Sequence, residues 1–351
     1  NYIMGRLPLL MAFFYLCSIA LYMKWRLTPL SSPLTLRGDR GGVLYILSLL
    51  FAVLAMKTKE NALTLPFMVL MAEFFFFDGK RARRLLYLLP FLLALLIIPL
   101  SLLGADRPMG EIIGAMEDAT RHYTDIPRMS YFFTQMRVVV TYIRLLFLPI
   151  NQNFDYDYPV FNTILDYRVS LSMLFHVSVI SLGIYLFLRS KKTPWLRAVS
   201  FGIFWFYTAL SVESSILPIP MIICEYRLYL PGAGIFMAVT TALYMACRNI
   251  GRPKTIFLLI AVLIIVSLST ASYKRNNIWR NEIRLWEDVV RKSPNKGESR
   301  FILGMNYHRY GKYDKAIKQY LYALSIKPAY HSLHVVHNNL AVSYYRKGQV
   351  E

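Results

Sequence analysis

Apolar residues gather into runs of helical, membrane-spanning or nearly spanning length at 7–24, 42–57, 62–77, 85–103, 169–189, 197–212, 232–247 and 255–272. A hydrocarbon core of ~30 Å takes ~20 residues of helix, so these eight runs predict a polytopic helical membrane domain over 1–272. Several hold only about sixteen residues, and the weaker of these, 42–57 and 197–212, are expected to be re-entrant or to tilt against their neighbours. Segment 129–149 has a different pattern. Its Ser130, Thr134, Arg137, Thr141 and Arg144 recur at intervals of four and three and lay one polar stripe along an otherwise apolar helix. That pattern predicts a helix lying in the membrane interface. The alternative is a crossing helix with its arginines turned into the bundle, which would invert every side downstream.

Past residue 273 the long apolar runs stop. The stretch "SRFILGMNYHRYGKYDKAIKQYLYALSIKPAY" matches the tetratricopeptide pattern through Leu303, Gly304, Tyr307, Gly311, Tyr313, Ala316, Tyr320, Ala323 and Pro328. Small residues let two antiparallel helices approach, and aromatics fill the groove between them. Pro294 stands 34 residues before Pro328, so "WRNEIRLWEDVVRKSPNK" reads as the second helix of a degenerate earlier unit. Leu340, Tyr344 and Gly348 open another. The expected fold class is therefore all-α: a helical membrane bundle over 1–272 followed by helical repeats over 273–351. The chain opens at Asn1 and stops at Glu351 within a repeat, which reads as an internal fragment, with more repeats expected beyond it.

Composition agrees with the span pattern. The chain is 56% hydrophobic and 15% aromatic, too apolar for an ordinary soluble domain of 351 residues. The net charge of +20 raises the prospect of a nucleic-acid partner, but the basic residues cluster in loops between spans, so none is expected. Loops carrying Lys24, Arg26, Arg37 and Arg40, then Lys80, Arg81, Arg83 and Arg84, then Arg189, Lys191, Lys192 and Arg197, then Arg248, Arg252 and Lys254 are assigned to the cytoplasmic side. Glu60, the acids at 106, 111, 117, 118 and 125, then Asp155, Asp157, Asp166, Glu213 and Glu225 fall on the other side, as do the repeats. Against that, Lys274, Arg275, Arg280 and Arg284 follow the last span directly. Cys17, Cys224 and Cys247 have no metal-site spacing and read as buried thiols. No metal site is assigned; His331, His334 and His337 have helical spacing but sit in a repeat linker.

Four charged pieces share the outer side: Arg6 in "NYIMGR"; Lys57, Lys59 and Glu60 in "KTKENALTLP"; Asp155 and Asp157 in "NQNFDYDYP"; and Glu225 with Arg227 in "PIPMIICEYRLYLPGAG". A charge at membrane depth costs roughly 2.5–3.5 kcal/mol, so such groups mark a pathway or a site. Fixed cations beside carboxylates suit a phosphate leaving group together with a base that takes a proton from a hydroxyl. The plainer readings are lysines that snorkel to headgroups, a structural Glu225–Arg227 pair, and solvated loop acids at 155 and 157.

The succession of "YIMGR", "KTKENALTLP", "QMRVVVTYIRLLFLPINQNFDYDYP", "ESSILPIPMIICEYRLYLPGAG", "WRNEIRLWEDVV" and "KSPNK" before the repeat units resembles the transmembrane and tetratricopeptide repeat-containing O-mannosyltransferases and their bacterial relatives, within the GT-C superfamily. The resemblance covers nearly the whole chain. It implies a multispanning enzyme that transfers a sugar from a polyprenyl-phosphate donor to a hydroxyl acceptor, protein Ser/Thr, with lumenal or periplasmic repeats gripping the acceptor. On this reading Arg227, Lys59 and Arg6 bind the donor phosphate, Glu225 and Glu60 orient those cations, and Asp155 and Asp157 are acceptor or loop candidates. In the O-mannosyltransferase branch Glu and Arg are adjacent, whereas here Tyr226 stands between them, so Arg227 carries over more firmly than Glu225. The family's acidic residues in its first outer loop, the expected base, would lie upstream of Asn1. Expected partners are membrane lipid, lipid-linked sugar and a protein acceptor; no cofactor beyond the donor is assigned and metal dependence is open. The expected site is a bacterial inner membrane with periplasmic repeats, or alternatively the endoplasmic reticulum. Competing classes are a non-catalytic membrane-anchored repeat scaffold and a polymerase or ligase of lipid-linked glycans.

Overall fold

The computed structural model describes residues 6–28, 40–97, 126–216, 218–219, 221–248, 250–326 and 333–348. The acids at 106–125, together with Arg37, Pro328 and His331, lie outside them. The described residues form helices and no strands. In chain order these are α1 (Arg6–Leu27), α2 (Arg40–Thr58), α3 (Leu65–Phe76), α4 (Arg81–Ala94), α5 (Arg128–Phe147), α6 (Tyr167–Arg189), α7 (Leu196–Leu210), α8 (Tyr229–Cys247), α9 (Pro253–Trp279), α10 (Glu282–Lys292), α11 (Gly297–Arg309), α12 (Tyr313–Ser325) and α13 (Leu333–Lys347), with short 3₁₀ turns at Glu60–Thr64 and Glu225–Leu228.

Among the described residues, five helices are long and apolar enough to cross a membrane: α1, α2 from Gly41, α6, α8 with its preceding turn, and α9. This is compatible with a membrane protein. Two of the expected spans come out shorter, and a third is described only in part. The run 62–77 is divided between the 3₁₀ turn and the 12 residues of α3, because Pro66 can sit only in a helix's first turn. At 1.5 Å per residue, such a helix rises about 18 Å, well under a bilayer core. The run 85–103 is helical as far as Ala94 in α4, and its end lies outside the described residues. The run 197–212 gives the 15 residues of α7. The run 42–57, read as weak, is among the five.

The chain divides into two compact units. The first comprises Asn1–Tyr142, Val160–Ile222 and Tyr226–Lys254; the second comprises Ile143–Pro159, Ile223–Glu225 and Thr255–Glu351. The division therefore differs from a single cut at 272/273, since the loop following α5 groups with the C-terminal helices.

In the first unit α1 buries Met11, Tyr15, Ile19, Tyr22 and Trp25 at helical spacing against Ala52 and Ala55 of α2, Leu65, Met68, Val69 and Ala72 of α3, and Phe91 of α4. Tyr15 Oη lies 3.0 Å from Thr64 Oγ1, and Tyr22 Oη donates to Glu73 at 2.8 Å, so α1 and α3 run in the same direction. α7 and α8 cross closely at Gly202 and Gly234. A Cβ at 202 would come within 2.3 Å of the Gly234 carbonyl oxygen, and one at 234 within 2.6 Å of Trp205. Small residues at such a crossing let two backbones touch. Within the first unit, the polar stripe of α5 turns partly inward: Ser130 and Thr134 are buried, and Thr134 Oγ1 accepts from Phe161 N at 2.9 Å, whereas Arg137 is half-buried.

In the second unit α11 and α12 pack around Phe301, Leu303, Tyr307, Ala316, Ile317, Tyr320 and Ala323, with Val336 and Leu340 of α13 added. Gly304 is required here, because a Cβ would meet Tyr320 Cε1 at 2.5 Å.

Candidate functional site

Lys59 stands just past the end of α2, where Pro66 and the 3₁₀ turn reverse the chain. Arg227 sits in the second 3₁₀ turn, which Pro231 in the first turn of α8 helps to set. Far apart in sequence, the two meet in the first unit on one carboxylate, Glu213, in the turn after α7. Lys59 Nζ donates to Glu213 Oε1 at 2.7 Å, and Arg227 Nε lies 3.7 Å from the same oxygen, within ion-pairing reach. Glu213 and Arg227 are each 5% exposed, so the charges interact across a medium that screens weakly. Together the three side chains carry one net positive charge.

Neighbouring groups hold this arrangement in place. Tyr131 of α5 donates to the Glu213 carbonyl oxygen at 2.9 Å. Burial, aided by the Glu213 carboxylate and opposed by Arg227, pushes the Tyr131 hydroxyl up to about 12, so it stays a donor at neutral pH. Lys59 Nζ lies 5.1 Å above the ring of Tyr226, and Arg227 also reaches the Ile222 carbonyl at 3.4 Å. Lys59, Arg227, Asn61 and Tyr226 line a narrow cleft whose apolar wall comes from Pro8 and Met11 of α1, Ala209 of α7 and Leu230 of α8. It encloses about 10 Å³, room for one water.

The other residues singled out from sequence take other places. Arg6, at the start of α1, is exposed and forms no ion pair among the described residues, although Pro8 and Met11 beyond it line the cleft. Glu60 and Lys57 are exposed, and the carboxylate beside Lys59 is Glu213 rather than Glu60. Glu225 belongs to the second unit, where its Oε1 accepts from Asn153 N at 2.8 Å and from Tyr156 Oη at 2.7 Å. Burial and the adjoining Glu225 charge push the Tyr156 hydroxyl well above its usual range, so it remains a donor.

Asp155, in the second unit, is a buried clasp and not a solvated loop acid. Its carboxylate pairs with Lys296 and accepts from Ser299 Oγ at 2.7 Å, while its carbonyl accepts from Asn153 Nδ2 and Ser293 Oγ, both at 2.9 Å. Asp157 is exposed and is tied through its backbone N–H to Ser293 Oγ at 2.9 Å. Among the described residues no cluster of three or more His, Cys, Asp or Glu side chains is placed to hold a metal ion.

Glu213 and Tyr131 were missed as site residues. The signal for Glu213 was its place at the head of "ESSILPIPMIICEYRLYLPGAG", an acid directly after an apolar run. Nothing in the pattern of α5 separates Tyr131 from its other aromatics. Chemically, a lysine and an arginine fixed on one buried carboxylate form a preorganised anion-binding pair, because an anion that displaces the carboxylate meets cations already in position. Compared with protein-family models, with curated proteins and with solved structures, the chain finds no match.

Proposed function

We propose that this chain is an integral-membrane glycosyltransferase that moves a sugar from a polyprenyl-phosphate donor to a hydroxyl acceptor, a protein Ser or Thr side chain. The convergence of Lys59 and Arg227 on Glu213, beside apolar helices of membrane-spanning length, carries this reading. Arg227 and Lys59 bind the donor phosphate and stabilise the charge that grows on it as the sugar C–O bond breaks. The cation-holding role goes to Glu213, which touches both cations, in place of Glu60 and Glu225. The cleft has room for a water and not for a phosphate, so donor entry opens the Lys59–Glu213 pair and the phosphate takes the carboxylate's place. The cleft end of α1 faces the non-cytosolic side, as the distribution of loop charge suggests. The membrane part is a GT-C-like bundle, and α11–α13 are tetratricopeptide units that grip the acceptor in the periplasm of a bacterial cell.

The test is transfer from a polyprenyl-phosphate sugar to peptide by protein purified in detergent. Arg227→Ala is expected to lower kcat by about 10²–10³, the loss typical of removing one preorganised group that stabilises developing negative charge. Arg227→Lys recovers part of it. Full turnover by a folded Arg227→Ala variant overturns the role of Arg227, whereas absence of transfer by the folded, unsubstituted protein leaves the membrane-anchored scaffold as the better reading.

A further inference from the structure

A second anion-binding arrangement lies in the first unit, away from the Glu213 cluster. Between α5 and the start of α6 there is an open groove of about 370 Å³, within the range of small-ligand pockets. Arg137 and Arg168 line it on the polar side, and Val140, Leu171 and Phe175 form its apolar wall. No carboxylate lines it. Arg137 is half-buried and has no ion-pair partner among the described residues. Arg168 has one, Asp166, at 3.6 Å, with the arginine side chain 48% exposed, a pair too solvated and too loose to neutralise it. The Arg168 guanidinium lies 5.4 Å from the ring centroids of both Phe161 and Tyr167, which limits its rotamers while leaving its N–H fork available to a ligand.

The groove's position narrows the ligand class. α6 is one of the five helices able to cross a membrane, and Leu171, Leu174 and Val177 along it are about 60% exposed or more. Arg168 and the exposed ring of Tyr167 mark its first turn, where a crossing helix meets the headgroup layer. A charged edge continuous with an apolar wall at that depth matches a molecule whose phosphate sits at the interface and whose chain runs along the helix. A planar guanidinium binds two phosphate oxygens at once, and two guanidiniums without a lining acid give a net attraction for a phosphodiester.

We propose that this groove is a binding site for an anionic glycerophospholipid, with its phosphodiester on Arg137 and Arg168 and the start of an acyl chain against Val140, Leu171 and Phe175. It gives the half-buried Arg137, in the polar stripe of α5, a role that the Glu213 cluster does not use. The proposal stands whether or not the chain transfers sugars.

The test uses the protein delipidated in neutral detergent and titrated with dioleoyl-phosphatidylglycerol or dioleoyl-phosphatidylcholine, with bound lipid counted by native mass spectrometry. The unsubstituted protein is expected to prefer phosphatidylglycerol by about thirtyfold, the scale for two basic side chains facing one anionic headgroup. Arg137→Gln with Arg168→Gln brings the preference close to one, whereas Arg189→Gln at the far end of α6 leaves it unchanged. Leu171→Trp, which fills the groove and keeps both charges, weakens binding of both lipids and carries the test if the double variant does not fold. A preference that survives the double variant, or lipid binding indifferent to Leu171→Trp, overturns the site. Displacement of the lipid by equimolar inorganic phosphate identifies a free-phosphate site and overturns the lipid as occupant.

Discussion

Two buried carboxylates at opposite ends of α3 each gather two cations, and they are built differently. Glu73, in the last turn of α3, is fully buried. Arg26 grips it with both prongs, Nε to Oε2 at 2.8 Å and Nη2 to Oε1 at 2.7 Å; Tyr22 adds a hydrogen bond at 2.8 Å and Arg84 an ion pair at 3.4 Å. Arg26 is further packed between the rings of Phe77 and Tyr87. Glu213, beyond the other end, holds Lys59 by one oxygen and Arg227 at the longer 3.7 Å, beside a cleft. A buried, bidentate cluster is a structural lock, since any ligand would have to break three short hydrogen bonds to the carboxylate at once. Glu213 instead makes one short charged hydrogen bond, from Lys59, and a longer pair with Arg227 beside a narrow cleft, so an anion entering there would displace less than at Glu73.

Removing the two carboxylates is the most direct way to break that contrast. Glu73→Ala is expected to cost about 3–5 kcal/mol, because it leaves Arg26 and Arg84 buried without their anion. Glu213→Ala should cost less, about 1–3 kcal/mol, since it removes one short charged hydrogen bond and a pair at 3.7 Å. Thermal unfolding in detergent measures both, and equal losses would make the Glu213 cluster a second lock. The phenols sharpen the comparison at smaller scale. Tyr22→Phe, losing a hydrogen bond to a charged group, is expected to cost about 1.5–3 kcal/mol, against about 1 kcal/mol for Tyr131→Phe, whose acceptor is a neutral carbonyl.

Asp288 in α10 extends the comparison to the second unit. Burial opposes its ionisation, but hydrogen bonds from Lys292 and Arg275, with Arg291 added, outweigh that and hold the carboxyl below the usual range. A carboxyl whose folded value is depressed stabilises the fold above its unfolded value and loses that contribution as pH falls through the folded one. Hydrogen exchange in α10 should therefore speed up as pH drops below about 4, after correction for the intrinsic rate. Asp288→Asn should be less protected at neutral pH and flatter across that window. The smallest effects belong to exposed acids: Glu60→Gln and Asp157→Asn are expected to stay within about 0.5 kcal/mol of the parent protein by the same unfolding measurement.

Much of the helical content was legible because it is local. Runs with no charge over a helix length, such as the one that became α9, admit little else, and buried positions along α1 follow the helical period. Lys59 and Arg227 were legible as charges in need of a partner because ionisable groups at the borders of apolar runs carry a cost that calls for one. What that partner was could not be read. Glu60 lay next to Lys59 in sequence and Glu225 two places from Arg227, yet the shared carboxylate is Glu213, because a 3₁₀ turn leaves Glu60 exposed while Asn61, Ala62 and Thr64 are buried. Asp155 looked like a solvated loop acid for the same reason: its partners Lys296 and Ser299 are distant in the chain.

By itself, then, the sequence determined that this is an all-helical chain with several segments apolar enough for a bilayer and a polar helical remainder, since backbone hydrogen bonding and side-chain period act over a few residues. Tertiary structure alone decided which carboxylate each cation found, which glycines let α7 and α8 touch, and that the stripe on α5 turns partly inward. Those outcomes depend on distances between residues far apart in the chain, and Coulomb energy and close packing are set by distance in space.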